Sequence, residues 1–334
     1  MNNAVQRKKV MIYGTLGPAC SDREILREML LEGMDGMRLN LSHASLEESE
    51  ALLEAYRNAA AACGLHPALL IDMQGPELRI GRVSPFALRE DARIDPDRIP
   101  FPDTVRRAIE LAAPAQEILL DDGRILLRKE ETGLLRVVRG GVLESRKSVA
   151  LPGIAIRTPA MTEADRRHIR LAGAYGVTGV MQPFVRGEAD LLEVRGALNE
   201  AGGSDIRLFA KIENAEGIAH LDELLPCCDE IVIARGDLGN AVPLWELPAV
   251  QKRIAAACRK AGRSFTVVTQ MLDSMTHRPV PTRAEASDIF DAVLDGAASV
   301  MLTGETASGD YPAAAIRFLV KTVRAAEAYR DGMR

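Results

Sequence analysis

The chain has 334 residues, with 42 Lys and Arg against 47 Asp and Glu, and the resulting formal charge of −5 argues against a general nucleic-acid binder. At 47% hydrophobic and 27% charged, the composition is that of a folded globular protein and excludes a disordered chain. Aromatic residues make up only 4%, so packing has to rest on aliphatic side chains.

The chain opens with MNNAVQRKKV, whose basic stretch imitates a signal peptide. The apolar run that follows is interrupted by Gly14, Thr15 and Gly17, which favours a first buried strand instead. In chain order, short apolar runs then recur at 10–17 (VMIYGTLG), 36–42 (GMRLNLS), 68–74 (ALLIDMQ), 176–184 (GVTGVMQPF), 207–213 (RLFAKIE), 230–237 (EIVIARGD), 265–271 (FTVVTQM) and 299–305 (SVMLTGE). Helical stretches lie between most of them. Ser21 with Glu24, Ser45 with Glu48 and Thr162 with Asp165 have capping-box spacing, while Gly33, Gly64 and Gly262 stand where helices end.

Eight strand-like runs alternating with helices imply a parallel sheet covered by helices, and eight is the number that closes a (β/α)8 TIM barrel. A doubly wound open sheet is the alternative, since counting does not establish closure. The rhythm breaks over 82–150. There RVSPFALREDARIDPDRIP reads as loop and PDTVRRAIELAA as a helix, and EILLDDGRILLRKE with LLRVVRGGVLESRK alternates like hairpin strands. The expected organisation is therefore a catalytic barrel from 1–81 and 151–334, with a small, mostly-β lid domain (82–150) inserted after strand 3.

Five cysteines without C-x-x-C spacing fit neither a disulfide framework nor a structural zinc site, and point to a reducing, cytoplasmic setting. No run approaches the ~18 apolar residues of a membrane helix, so no membrane partner is expected. His66, His168, His220 and His277 show no ligand spacing and read as surface or packing residues.

Several runs end in polar residues at alternate positions, where barrels carry their active sites. Arg38, Asn40 and Ser42 share one strand face by the period-2 rule, as do Lys211 and Glu213, Arg235 and Asp237, and Thr303 and Glu305. Any one pair is equally explained as strand-end charge facing solvent. Repetition of the exception on several strands favours a common site. Glu213 and Asp237 are hard oxygen ligands suited to Mg2+ or Mn2+, and Lys211 with Arg38 suits a phosphate. That mixture fits phosphoryl transfer, whose transition state spreads negative charge over oxygens that need fixed positive partners. Neither G-x-x-x-x-G-K-[ST] nor G-x-G-x-x-G occurs, so a P-loop or Rossmann nucleotide site is unsupported.

The segments TLGPAC, MRLNLSH, DMQGPELR, LPGIAI, FAKIEN, IARGDLG, VTQMLDSM, PTRAEASD and MLTGETASGDYP, in that order, resemble the successive signatures of the pyruvate kinase family over 10–81 and 144–330. The resemblance implies conversion of phosphoenolpyruvate and ADP to pyruvate and ATP, with Mg2+ (or Mn2+) and K+. Carried over motif by motif, Lys211 stabilises the transferring phosphoryl group and Arg38 grips the substrate phosphate. Glu213 and Asp237 hold the divalent metal, and the Gly236 amide meets the substrate carboxylate. Asn40, Ser42, Asp72 and the Met73 backbone oxygen form a K+ site, and Glu77 matches the K+-dependent form of its motif. Thr269 lies by the enolate carbon and helps deliver its proton, with Thr303 and Glu305. Arg79 and Lys147 contact nucleotide phosphates, with His43 nearby.

Departures from the pattern bear on what is expected. The family's C-terminal regulatory domain is read as absent and the lid as shortened, so no effector control is expected and homo-oligomerisation is left to the barrel. Pro183 stands where a serine is common, and Gln74 where many relatives carry lysine. Two rival readings stand beside the kinase: a Mg2+-dependent lyase or aldolase-type barrel acting on phosphoenolpyruvate or pyruvate, and a non-catalytic paralogue that binds phosphoenolpyruvate.

Overall fold

The computed structural model describes residues 9–121, 123–154, 156 and 158–333. The basic start 1–8, Asp122 of the LDDG run and Ala155 of LPGIAI lie outside the described residues. By contacts the chain divides into two compact units, Met1–Gly75 with Ala160–Arg334, and Pro76–Pro159.

The first unit is a closed barrel of eight parallel strands, so the open-sheet alternative does not hold. In order they are Met11–Thr15, Gly36–Asn40, Ala68–Asp72, Gly179–Gln182, Arg207–Ile212, Glu230–Ala234, Ser264–Val268 and Ser299–Met301, each paired with its sequence neighbours, and the first closing on the last through Met11↔Ser299. The strands read as unbroken apolar runs because both faces are covered. Inward, Tyr13, Leu70, Met181, Phe209, Val232, Ala234, Val268 and Met301 fill the barrel as a cluster of their own. Outward, residues such as Ile12, Met37, Ile71, Val180, Ile231 and Val300 pack on the helices.

The amino ends of the later strands hold a buried polar plug instead of apolar side chains. Glu230 accepts hydrogen bonds from Ser299 Oγ at 2.8 Å, from Thr266 Oγ1, and from Arg207 Nη2 at 2.7 Å. With all these partners satisfied, a carboxylate only 3% exposed is tolerated.

Two of the three expected capping boxes form. Ser45 and Glu48 exchange bonds of 2.8 and 3.1 Å just before the helix Glu50–Cys63, and Thr162 with Asp165 opens the helix Glu163–Ala172. The helix Arg23–Leu31 is capped by Asp22 instead of Ser21, because the Asp22 carboxylate reaches the Glu24 and Ile25 amides at 2.7 and 3.3 Å. A box at Thr282 and Glu285, not read from the sequence, opens the helix Arg283–Leu294. Gly64 ends its helix at φ 65, a conformation that favours glycine.

Asp165 does more than cap. Its oxygens also accept from the Gln74 and Gly75 amides at 2.8 and 3.0 Å, tying the chain that leaves the third strand to the helix where it returns. Three positions after Asp165, on the same helix, His168 is 3% exposed, and burial pushes its pKa down against the opposing pull of Glu47 and Asp165. The folded state thus resists protonation, and its stability from this group is lost as pH falls below the ordinary value of 6.5. Wild type is expected to lose stability relative to His168→Gln over that window; parallel urea-melt stabilities above and below it would refute this.

The second unit has its own apolar core, including Leu88, Ile94, Ile118, Leu127, Leu135 and Val137. Five antiparallel strands form its main sheet, in the order Val149–Ala150, Glu117–Leu120, Ile125–Lys129, Leu135–Arg139, Arg93–Ile94. The expected helix appears as Asp103–Leu111. The stretch read as loop contains two short strands, Phe86–Leu88 and Arg93–Ile94, formed because Leu88 and Ile94 are buried in that core. Among the described residues no helix is long and apolar enough to cross a membrane, and the cysteines, all of them described, are free.

Candidate active site

Four of the residues singled out in the sequence meet at the carboxyl ends of the second, third and fifth strands. Asp72 is the hub. Its Oδ2 accepts from Arg38 Nε at 2.8 Å and Nη2 at 2.7 Å, and its two oxygens receive Lys211 Nζ at 3.2 and 2.9 Å. Lys211 Nζ also lies 3.0 Å from Glu213 Oε1. Parallel pairing explains the convergence, since Asn40 and Asp72 are register partners and Arg38 sits two positions before Asn40. Arg38 is steadied further by Thr15 Oγ1 at 3.4 Å from its Nη1.

Burial is the largest single influence on Asp72, Lys211 and Glu213, but it does not always decide the outcome. It pushes the Asp72 carboxyl up, but the Lys211 and Arg38 cations outweigh it and hold the group below its ordinary value. Burial likewise pushes Lys211 down, and Asp72 with Glu213 more than reverses that, so the ammonium stays charged. Glu213 is different. Burial, with Asp237 and Asp72 adding repulsion, raises it to about 7 against the pull of Lys211. A carboxylate at 3% exposure with this excess of negative charge is a place where an added cation lowers the energy.

Glu213 Oε2 accepts from the Phe184 amide at 2.9 Å, and Phe184 stands at φ 51 directly after Pro183. A Cβ on Gly75 would come within 2.4 Å of the Pro183 ring, so the proline fills the space against the turn after the third strand. The departure at 183 therefore leaves the support of Glu213 intact through the next residue. Gln74 donates its side-chain amide to the Leu41 carbonyl at 3.1 Å, joining the turns that follow the second and third strands.

The donor sets suit the cations the resemblance implies. Among the described residues no group of three or more His, Cys, Asp and Glu is placed to hold a metal ion. Mg2+ does not require one, since one or two carboxylates with water and substrate oxygens suffice, as Glu213 and Asp237 offer. Asn40, Ser42, Asp72 and the Met73 carbonyl all offer oxygen donors; Asn40 and Asp72 are register partners, and Asn40 Oδ1 accepts from the Ser42 amide at 3.1 Å. His43 is exposed in the same turn.

The sixth, seventh and eighth strands bring a second group together. A Cβ on Gly236 would approach Thr269 Cγ2 to 3.2 Å, so the threonine side chain lies against that glycine. Glu305 is 2% exposed; Oε1 accepts from the Leu272 amide at 3.0 Å and Oε2 from the Thr303 amide and hydroxyl at 2.8 and 3.3 Å. Its oxygens serve the loop ends. Arg235, which alternation grouped with Asp237, turns instead to Asp288 and to the Thr269 carbonyl. The strand has already ended at Ala234, so the period-2 rule no longer applies.

Arg79, Glu77 and Lys147 belong to the second unit. Arg79 donates to Glu77 Oε2 through Nε at 2.9 Å and Nη2 at 2.7 Å, and Lys147 Nζ lies 3.0 Å from Asp121 and 3.3 Å from Glu144.

A family model described as "Pyruvate kinase, barrel domain" matches residues 7–98 and 99–316. The chain is 38% identical over 328 residues to the pyruvate kinase of Geobacillus stearothermophilus, covering 93% of this chain and 56% of that protein. It is 38% identical over 331 residues to that of Mycobacterium intracellulare, covering 95% and 70%, and 35% identical over 342 residues to that of Clostridium perfringens, covering 97% and 71%. The chain thus spans a little over half the length of the Geobacillus protein and about seven tenths of the other two. With the closed barrel, the ordered signatures and these matches together, the chain belongs to the pyruvate kinase family.

Proposed function

We propose that the chain catalyses transfer of the phosphoryl group of phosphoenolpyruvate to ADP, giving pyruvate and ATP. The observation that carries the reading is the Arg38–Asp72–Lys211–Glu213 network, in which two cations and two carboxylates from three strands share one buried corner. A guanidinium and an ammonium held there suit a phosphate dianion, and their fixed charge favours the transition state, in which negative charge spreads over the non-bridging oxygens. A divalent cation, when bound at Glu213 and Asp237, supplies further positive charge at those oxygens. K+ at Asn40, Ser42, Asp72 and the Met73 carbonyl would offset the remaining charge of two phosphorylated reactants.

Arg38 and Lys211 bind and orient the phosphate, and the Gly236 amide orients the substrate carboxylate. As the enol-phosphate P–O bond breaks, an oxygen of the ADP β-phosphate takes the phosphoryl group and the enolate is left. Thr269, with Thr303, holds a proton for the enolate methylene carbon; Glu305 keeps the loop ends in place. Arg79, Lys147 and His43 serve the nucleotide.

The test is pyruvate release followed through lactate dehydrogenase, with phosphoenolpyruvate, Mg2+ and K+. Release that requires both ADP and Mg2+ is the expected result. Release without ADP would favour the lyase reading, and binding of phosphoenolpyruvate with no turnover would favour the non-catalytic one.

A further inference from the structure

Thr269 stands at φ 81 and Gln270 at φ 53. Left-handed backbone is a genuine outlier for a β-branched residue, so its surroundings have to over-determine it. Arg235, the residue after the sixth strand, restrains that turn with its side chain. Its side chain, only 10% exposed, reaches across to the end of the seventh strand, which pairs with the sixth through Ala234↔Val268.

Arg235 Nε and Nη2 donate to the Thr269 carbonyl at 3.1 and 2.7 Å. Nη2 also reaches the Gln270 carbonyl at 3.3 Å and Met271 Sδ at 3.0 Å. Nη1 lies 2.7 and 2.6 Å from the two oxygens of Asp288, on the helix Arg283–Leu294. All three guanidinium nitrogens are engaged, one on a carboxylate and two on the backbone turn. A planar fork suits this and an ammonium does not. Arg38 serves a different purpose, since its one carboxylate partner, Asp72, is shared with Lys211. Arg235 is neutralised by a partner of its own and faces carbonyls, which are not what a phosphate-binding arginine presents.

We infer that Arg235 and Asp288 form a positioning brace that holds Thr269 where its hydroxyl serves the substrate's methylene carbon. The inference rests on the kinase reading above. It adds that the proton step depends on two residues that do not touch the substrate. Neither residue acts on phosphate, so phosphoenolpyruvate binding is left to Arg38 and Lys211.

Three measurements on the full chain test it. In Asp288→Ala, amide hydrogen exchange over 269–272 rises about tenfold, reporting the loosened turn directly. In the same variant kcat falls on the order of 10- to 100-fold while KM for phosphoenolpyruvate changes by less than about threefold, and exchange of pyruvate methyl protons into D2O falls in step with kcat. Finally, Asp288→Ala combined with Thr269→Ala is no slower than Thr269→Ala alone, since a residue acting through Thr269 has nothing left to position. Should Asp288→Ala not fold, Asp288→Asn is read in the same way.

Unchanged exchange at 269–272 overturns the brace whatever the activity. Faster exchange in a chain whose wild type shows neither turnover nor methyl exchange overturns the kinase reading, and the positioning role with it. Faster exchange with additive losses in the double variant overturns the positioning role and leaves the kinase reading standing.

Discussion

Lys211→Met lowers ADP-dependent pyruvate release by about 10³-fold or more, the loss expected when a fixed cation on a transferring phosphoryl group is removed. Methionine keeps much of the volume and removes only the charge that Asp72 and Glu213 share. The barrel survives the change for a specific reason. Asp72 retains both of its contacts to Arg38, and Glu213, already raised to about 7, moves higher and takes up a proton instead of remaining an unpaired buried anion. The rate loss therefore comes with at most about 1–3 kcal/mol of stability, which a thermal melt separates from unfolding. Lys211→Arg is not expected to rescue, because a planar fork does not fit the cradle of three oxygens around a point charge. A Lys211→Met chain keeping more than about a tenth of wild-type activity would remove the ammonium from the mechanism.

Asp72→Ala has the largest expected effect on the fold. Asp72 is 1% exposed and joins cations from two different strands, so its loss leaves Arg38 without its carboxylate, and Lys211 with Glu213 alone. Removing one partner of a buried ionic cluster costs about 3–5 kcal/mol, which for a chain of this size lowers the unfolding midpoint by roughly 4–7 °C. Phosphate binding weakens too, because the cations lose the anchor that aims them. The effect has a pH signature. The folded-state pKa of Asp72 is depressed, so its contribution is present above the ordinary aspartate value of 3.8 and is lost as pH falls below it. Wild type and variant thus converge in acid. A midpoint shift below about 3 °C at neutral pH would show that Asp72 is not the hub.

The barrel was legible because a strand buried on both faces writes itself as a continuous apolar run, and all eight runs became strands in the expected order. The corner of the site was legible for the same reason. Arg38 and Lys211 are charges inside such runs; Asp72, which the sequence offered only through the family resemblance as a K+ ligand, is brought to them by strand register. Just past the strand ends the pattern carried less information. Arg235, Asp237, Thr303 and Glu305 follow the last strand residue, where alternation no longer fixes direction, and Arg235 and Glu305 proved to hold loops. The left-handed turn at Thr269 and Gln270 has no signal in residue type, since neither is glycine; only the carbonyls gathered by Arg235 reveal it. In the second unit, two- and three-residue strands were missed because so short a segment has no measurable period.

Asp165 fastens the exit at Gln74 and Gly75 to the return at Thr162, leaving 76–159 as a guest whose two anchor points are already joined by the host. Closing a longer or shorter excursion across such a fixed gate changes the free energy only slowly, by ~0.6 kcal/mol for each doubling of length. The doorway is therefore a natural grafting point. Descendants of this scaffold are free to exchange, trim or enlarge what is inserted there, while the eight-stranded host keeps its shape and its charged corner.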